Sequence, residues 1–282
     1  IAFEEEVQDH PFAPGRHILI RAFKIEDGLG ITTSDITISK KALETEQRLK
    51  NELEFLKDSA TALIEMTSEE DLYQYTADTL QEICGGSSAL VSIRESFSDT
   101  IVVRAHSLTK GQFKIARSYL GSRIKGLKFP KYKNEKLLKS GRLVQIKDGL
   151  YDLAGGTIPR AVCSSIEKLT GIKAMYTVGF NRKETLFGNV LIFISDENVI
   201  LNSSLIEAFI RQVSIAIERI KTEKALHESE TRYNIAFATS PDAVNVNRLS
   251  DGMYVDINDG FTQVTGYTRE DIIGYTSLEK DI

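Results

Sequence analysis

The sequence predicts an α+β protein: a central antiparallel sheet with helices on its faces, flanked by long helices on either side. Two observations predict the sheet. Ala89–Arg94 with Thr100–Ser107, and Lys173–Phe180 with Phe187–Ile194, alternate apolar and polar residues in adjacent pairs, the pattern of two hairpins. Short helical patterns, not further long strands, lie between those pairs. A third observation predicts the flanking rods: Ser39–Met66 and Asn202–Tyr233 repeat apolar residues at sevens, with threes and fours between.

Taken in order, Arg16–Ile25 alternates around Ile18, Ile20, Ala22 and Ile25, and Gly28–Ile38 continues as a second strand. Asp35 and Thr37 stand where strand gives way to helix, and their side chains suit the capping of free backbone donors there. The first rod, residues 39–66, sets Leu49, Leu56 and Leu63 at sevens, with Leu53 and Ala60 interleaved. Glu69–Ile83 is a helix that starts after Thr67-Ser68, with Asp71 in the place where a capping box usually carries Glu. The first hairpin turns at Ser96–Asp99. Phe113–Leu120 and Glu135–Lys139 read as short helices, Leu143–Ile146 as a short strand and Pro159–Thr170 as a helix. The second hairpin turns at Asn181–Thr185. The last rod, residues 202–233, places Ile206, Val213, Ile220 and His227 at sevens, with Phe209, Ala216 and Ile217 filling the gaps. At ~1.5 Å per residue it reaches roughly 45 Å, enough to pack on a domain and then leave it. Both rods suit homodimerisation, the alternative being an amphipathic helix packed on its own domain. Glu218, Arg219, Lys221 and Glu223 form a solvated face in either case.

Bulk properties narrow the class. A length of 282 residues suits about two domains, and a net charge of −5 implies no nucleic-acid footprint. No run approaches eighteen apolar residues, so a direct membrane span is not expected. Cys84 and Cys163 follow no Cys-x-x-Cys spacing and read as free thiols in a reducing cytoplasm. Ile1–Val7 is acidic and alternating, unlike a signal peptide, and a start without Met suggests a segment cut from a longer chain.

Three stretches carry family resemblance. Glu228–Thr231 lead into Arg232-Tyr233, Ser240-Pro241-Asp242-Ala243, Asp251-Gly252, Val255–Asn258, Phe261, Thr265–Asp271 and Ile273-Gly274, which resembles the opening half of a PAS domain. Gly28–Ile38, with Asp35-Ile36-Thr37 and the following Lys40-Lys41-Ala42-Leu43-Glu44, resembles the closing strands of another PAS domain and its signalling junction. The block between the rods is similar to a GAF domain in element order. Its local marks are Ile172-Lys173-Ala174, Leu186–Leu191 and Ser204–Phe209. The implied plan is a PAS end (1–38), a linker helix (39–66), a GAF domain (50–222), an exit helix (202–233) and a PAS beginning (230–282). It implies a cytoplasmic sensory and relay segment with no catalytic residues of its own. The parent would be a sensor histidine kinase, with its kinase or other output domain beyond Ile282. A ligand-free dimerisation or spacer module is the rival reading. A head and tail that complement each other between two chains is a further possibility.

The GAF resemblance implies a small-molecule pocket between the sheet and the insert Gly111–Pro159, which is rich in aromatic residues including Phe113. The candidate pocket residues are His106, Tyr119, Phe129, Tyr132, Tyr151, Cys163 and Tyr176. His106 or Cys163 would be the axial ligand if a haem were bound; a pocket without haem is the stronger reading. Bilin attachment expects Cys-His, and this chain has Cys163-Ser164; the Asn-Lys-x-Phe-Asp-Glu mark of cyclic-nucleotide sites is missing. The four histidines have no metal-ligand spacing. His227-Glu228 runs on as Ser229-Glu230-Thr231-Arg232, so it reads as a helix residue and not a phospho-acceptor. Gly28-x-Gly30 opens no dinucleotide fold. A GAF-type methionine sulfoxide reductase would need more reactive cysteines than Cys84 and Cys163. The basic run Lys125, Lys128, Lys131, Lys133, Lys136, Lys139 and Arg142 reads as a solvated loop face.

Overall fold

The structure is a computed structural model that describes residues 3–11, 13–95, 100–120, 124–130, 135–147, 149–153, 156, 158–183 and 185–281. The chain divides into two compact units, one up to Ala216 and one from Ile217 onward.

The first unit opens with a three-stranded antiparallel sheet in the order β1 (Phe3–His10), β2 (Ala13–Ile25), β3 (Gly28–Asp35). β1 comes from the acidic, alternating start of the chain; β2 and β3 match the two expected strands. Ile18 and Ala22 are the buried positions of β2, four residues apart and therefore on one face. At the junction, Asp35 Oδ1 accepts the Thr37 amide at 3.0 Å, and Thr37 Oγ1 accepts the His17 amide at 2.8 Å. The Thr37 hydroxyl, its amide and the Arg16 guanidinium together hold the Asp35 carboxyl below its usual range. α1 then runs Thr37–Glu65, starting two residues before the expected Ser39.

α2 (Glu69–Ile83) begins as expected, with Ser68 Oγ accepting the Asp71 amide at 3.3 Å. The chain continues through β4 (Ser88–Arg94), β5 (Thr100–His106), α3 (Lys110–Leu120), β6 (Lys128–Pro130) and α4 (Glu135–Lys139). It goes on through β7 (Val144–Gln145), α5 (Gly149–Leu153), α6 (Arg160–Thr170), β8 (Ala174–Arg182), β9 (Thr185–Ile194) and α7 (Ser203–Thr239). The strands form one six-stranded antiparallel sheet in the order β6-β5-β4-β9-β8-β7. The first hairpin's expected turn, Ser96–Asp99, lies outside the described residues. The second turns at Lys183, whose φ of 52° is left-handed. β6 and α5, of three and five residues, were not among the expected elements.

Alternation sorts the sheet's residues onto two faces. Leu90, Leu191 and Phe193 look one way; Ala89, Val91, Val190 and Ile192 look the other, in register pairs that keep each face consistent. α3, α5 and α6 lie over the first face. α2 packs on β4 and β5 from the second, and brings α1 and α7 with it: the Phe209 ring sits 5.8 Å from Phe55 and 6.3 Å from Tyr75. Gly188 is a close approach in the centre of the sheet, where a Cβ would run into the Ser92 carbonyl oxygen. Gly188→Ala is therefore expected to cost roughly 2 kcal/mol or more, as overpacking of a sheet core does. Urea unfolding with an unchanged m-value measures it, and a neutral variant would contradict the close approach.

The α1–α7 contact has a polar centre. Ser59 Oγ donates to Gln212 Oε1 at 2.9 Å, Gln212 Nε2 donates to the Leu56 carbonyl at 3.1 Å, and Asn202 Nδ2 donates to Glu52 Oε1 at 2.7 Å. Ser59 is 2% exposed and its hydroxyl also reaches the Leu56 carbonyl of its own helix at 3.0 Å. A slip of one helix along the other would therefore cost the Ser59–Gln212 and Gln212–Leu56 bonds without stranding that hydroxyl. On α1, Leu63 of the expected heptad seam is buried and Leu56 half-buried, while Leu49 and Leu53 are exposed.

In the second unit, α7 continues to Thr239, past the expected end at Tyr233. Tyr233 and Phe237 stack 5.7 Å apart along it, and Pro241 sets its limit by disfavouring helical backbone at Ser240. Then come β10 (Asn245–Asn247) paired with β11 (Tyr254–Ile257), and the short helices α8 (Asp259–Thr265), α9 (Arg269–Ile272) and α10 (Ser277–Lys280). Tyr254, Ile257, Phe261 and Ile272 form its small core. No helix among the described residues is long and apolar enough to cross a membrane.

Candidate functional site

Between the sheet and its covering helices lies a cavity of about 80 Å³. Leu90, Val103, Leu191 and Phe193 supply its floor, Phe129 and Leu153 parts of its walls, and Ile166 of α6 its roof. α6 reaches the cavity because its apolar residues fall at helical spacing: Cys163 and Ile166 are buried three apart, and Gly171 closes the helix at φ 72°. The few polar side chains at the wall are engaged elsewhere. Gln112 Oε1 accepts the Ser88 hydroxyl and the Thr109 amide, Thr170 Oγ1 donates to the Ile166 carbonyl, and Cys163 Sγ lies 3.7 Å from the Ile158 carbonyl. A cavity so lined suits a small apolar occupant, or none.

The seven sequence-selected residues do not converge on this cavity. Phe129 and Cys163 line it. Tyr151 lines a neighbouring polar groove, where its ring carries the Arg160 guanidinium at 4.5 Å. His106 ends β5 outside the lining, its ring 5.3 Å from Phe113 and its Nδ1 accepting the Leu108 amide at 3.4 Å. Burial holds the His106 imidazole below its usual pKa, against the opposing pull of Asp78. Tyr119 is exposed on α3, and Tyr176, paired with Ile192, faces away from the cavity by strand alternation. Tyr132 lies outside the described residues. Sequence reasoning passed over Leu90, Leu191 and Phe193: alternation puts Leu191 and Phe193 on one face of β9, but only the β4–β9 register brings Leu90 onto that face.

The two cysteines are buried. Burial alone pushes the Cys84 thiol up to about 12. Cys163 is also raised, first by burial and then by the Glu167 carboxylate, with Arg160 acting the other way. Native protein at pH 8 is therefore expected to resist iodoacetamide at both positions, and to take up two equivalents once denatured. Rapid alkylation of the native protein, read by mass spectrometry, would refute this. Two members of the basic run are ion-paired: Lys125 with Glu70 at 2.8 Å and Lys128 with Glu95 at 3.3 Å, while Lys131 and Lys133 lie outside the described residues. No group of three or more His, Cys, Asp or Glu side chains that could hold a metal ion occurs among the described residues.

No protein-family model and no curated protein matches the chain. Among solved structures it is similar to the GAF domain of the cyanobacteriochrome TePixJ, at 15% identity and a TM-score of 0.42, over 57% of this chain and 95% of that one. It is similar also to the chromophore-binding domain of the Stigmatella aurantiaca bacteriophytochrome, at 11% identity and a TM-score of 0.45, over 72% and 70% of the two chains. A third is the chromophore-binding domain of an unusual bacteriophytochrome from R. palustris, at 10% identity and a TM-score of 0.45, over 79% and 75%.

Proposed function

We propose that this chain is the sensing and relay portion of a multi-domain signalling protein. In this reading a GAF-type domain takes a small apolar molecule in its cavity and passes the event to α1 and α7. The observation that carries it is the arrangement of one sheet: the cavity lies on one face, and both long helices are engaged from the other. The covering insert also touches the outgoing helix directly, since Glu207 Oε1 of α7 accepts the Leu143 amide at 2.9 Å. An occupant that spreads α6 from the sheet would shift the pose of α7, and packed helices move between discrete arrangements. The driving energy is the occupant's difference in affinity between the two poses.

The wider setting belongs to the same proposal. PAS-like segments bracket the domain, and the parent is a cytoplasmic sensor histidine kinase. α1 and α7 pair two copies through the exposed Leu49 and Leu53 of the first seam and Leu226 outside the second, whose Ile206, Val213 and Ile220 are buried within the chain. A ligand-free spacer is the second reading, favoured by the cavity's small volume and the engagement of its polar wall groups.

Toluene serves as a probe of the cavity. Spin labels on exposed positions of α1 and α7 would report a changed distance on saturation with toluene, and Ala116→Leu, which fills the cavity, would abolish the response. Binding of toluene without any change in distance would leave the spacer reading standing and sink the sensory one.

A further inference from the structure

We propose that the polar groove beside the apolar cavity is a second binding site, for a small, multiply charged oxyanion. It occupies about 490 Å³ between β7, the start of β8 and the helices α5 and α6. Three cations line it from three separate elements: Lys147 just after β7, Arg160 on the first turn of α6 and Lys173 just before β8. Tyr151 and Ser164 add hydrogen-bonding groups. Among the described lining residues the single carboxylate is Glu167, and its Oε1 is taken by the Leu150 amide at 2.7 Å. The balance of charge among the described lining residues is thus positive, although the chain as a whole is acidic.

The groove is prepared for recognition as well as for attraction. Arg160 stacks on the Tyr151 ring at 4.5 Å, which holds the guanidinium fork in a fixed plane for two-pronged contact with an oxyanion. Lys173 reaches Glu197 at 3.3 Å, but both side chains are largely solvent-exposed, so this pair exchanges at little cost for an incoming anion. Cys163 stands on the wall shared with the apolar cavity, and the two chambers differ in chemistry and so in occupant. An anion bridging Lys147 and Arg160 would bind to the strand that follows Leu143, whose amide is fixed to Glu207 of α7. The groove therefore has its own line to the outgoing helix.

The test is calorimetric titration of the full chain with pyrophosphate at low ionic strength. Saturable one-to-one binding is expected, weakening as salt is added. Arg160→Ala and Lys147→Ala should each weaken it tenfold or more, whereas Lys125→Ala, on the paired basic run, should leave it unchanged. Heats that never saturate, or equal small losses in all three variants, would overturn the site and reduce the effect to diffuse charge. Toluene binding measured in Arg160→Ala separates the two chambers: the apolar cavity should be unaffected whichever way the pyrophosphate result falls.

Discussion

Phe209→Ala is expected to cost about 3–5 kcal/mol, the range for removing a buried aromatic ring, and to loosen α7 from the domain. Phe209 is 0% exposed and is where three helices meet, with Phe55 of α1 and Tyr75 of α2 set against it at tilted and edge-on angles. Such ring pairs add about 0.5–1.5 kcal/mol each beyond the area they bury. The neighbours cannot collapse into the gap without moving a helix, and the Ser59–Gln212 hydrogen bond opposes that movement. Urea unfolding measures the loss, and hydrogen exchange along Ile206–Ala216 locates it. A loss under about 1 kcal/mol would mean that α7 docks without this anchor, and the relay from sheet to helix would lose its mechanical basis.

Asn258→Ala is expected to unfold the second unit while the six-stranded sheet survives. Asn258 is 3% exposed and ties five backbone groups together. Its Oδ1 accepts the amides of Val244 at 2.8 Å and Phe261 at 2.9 Å. Its Nδ2 donates to the carbonyls of Phe237 at 3.0 Å, Ser240 at 3.2 Å and Asp242 at 2.9 Å. One side chain thus joins the end of α7, the segment leading into β10 and the cap of α8. Alanine would leave several of those groups unpaired, at about 1–3 kcal/mol for each that stays buried. A core of only Tyr254, Ile257, Phe261 and Ile272 has little reserve to absorb such a loss. Asn258→Asp should do no better, since it replaces the donor with a charge aimed at three carbonyl oxygens. Loss of amide protection from Val244 to Tyr275, with protection of β4 and β9 intact, is the expected pattern. Retained protection in the second unit would show that its stability lies elsewhere.

The groove and the cavity differ in how far sequence could reach them. Lys147, Arg160 and Lys173 are scattered over 27 positions and three elements, so no local charge cluster announces them. The conspicuous basic run reads as a solvated loop face, and two of its lysines are tied to Glu70 and Glu95. Aromatic residues were a poor guide to the pocket. Phe129 lines it, but Tyr119 is exposed and Tyr176 faces the other side of the sheet. An aromatic ring in an insert does not by itself tell whether the ring is buried, or against which surface.

The sequence alone determined the kinds of element and much of their extent, because period-2 alternation and heptad spacing are local consequences of backbone geometry. It placed α2 and its Ser68 cap, both hairpins and the two long helices within a few residues, the end of α7 excepted. Only the tertiary structure decided that β4 pairs with β9 to merge the hairpins into one sheet, and which face of that sheet holds the cavity. Alternation defines two faces but is blind to which one a distant helix will cover. That choice is made by contacts between residues far apart in the chain, such as Ser59 with Gln212 and Leu143 with Glu207.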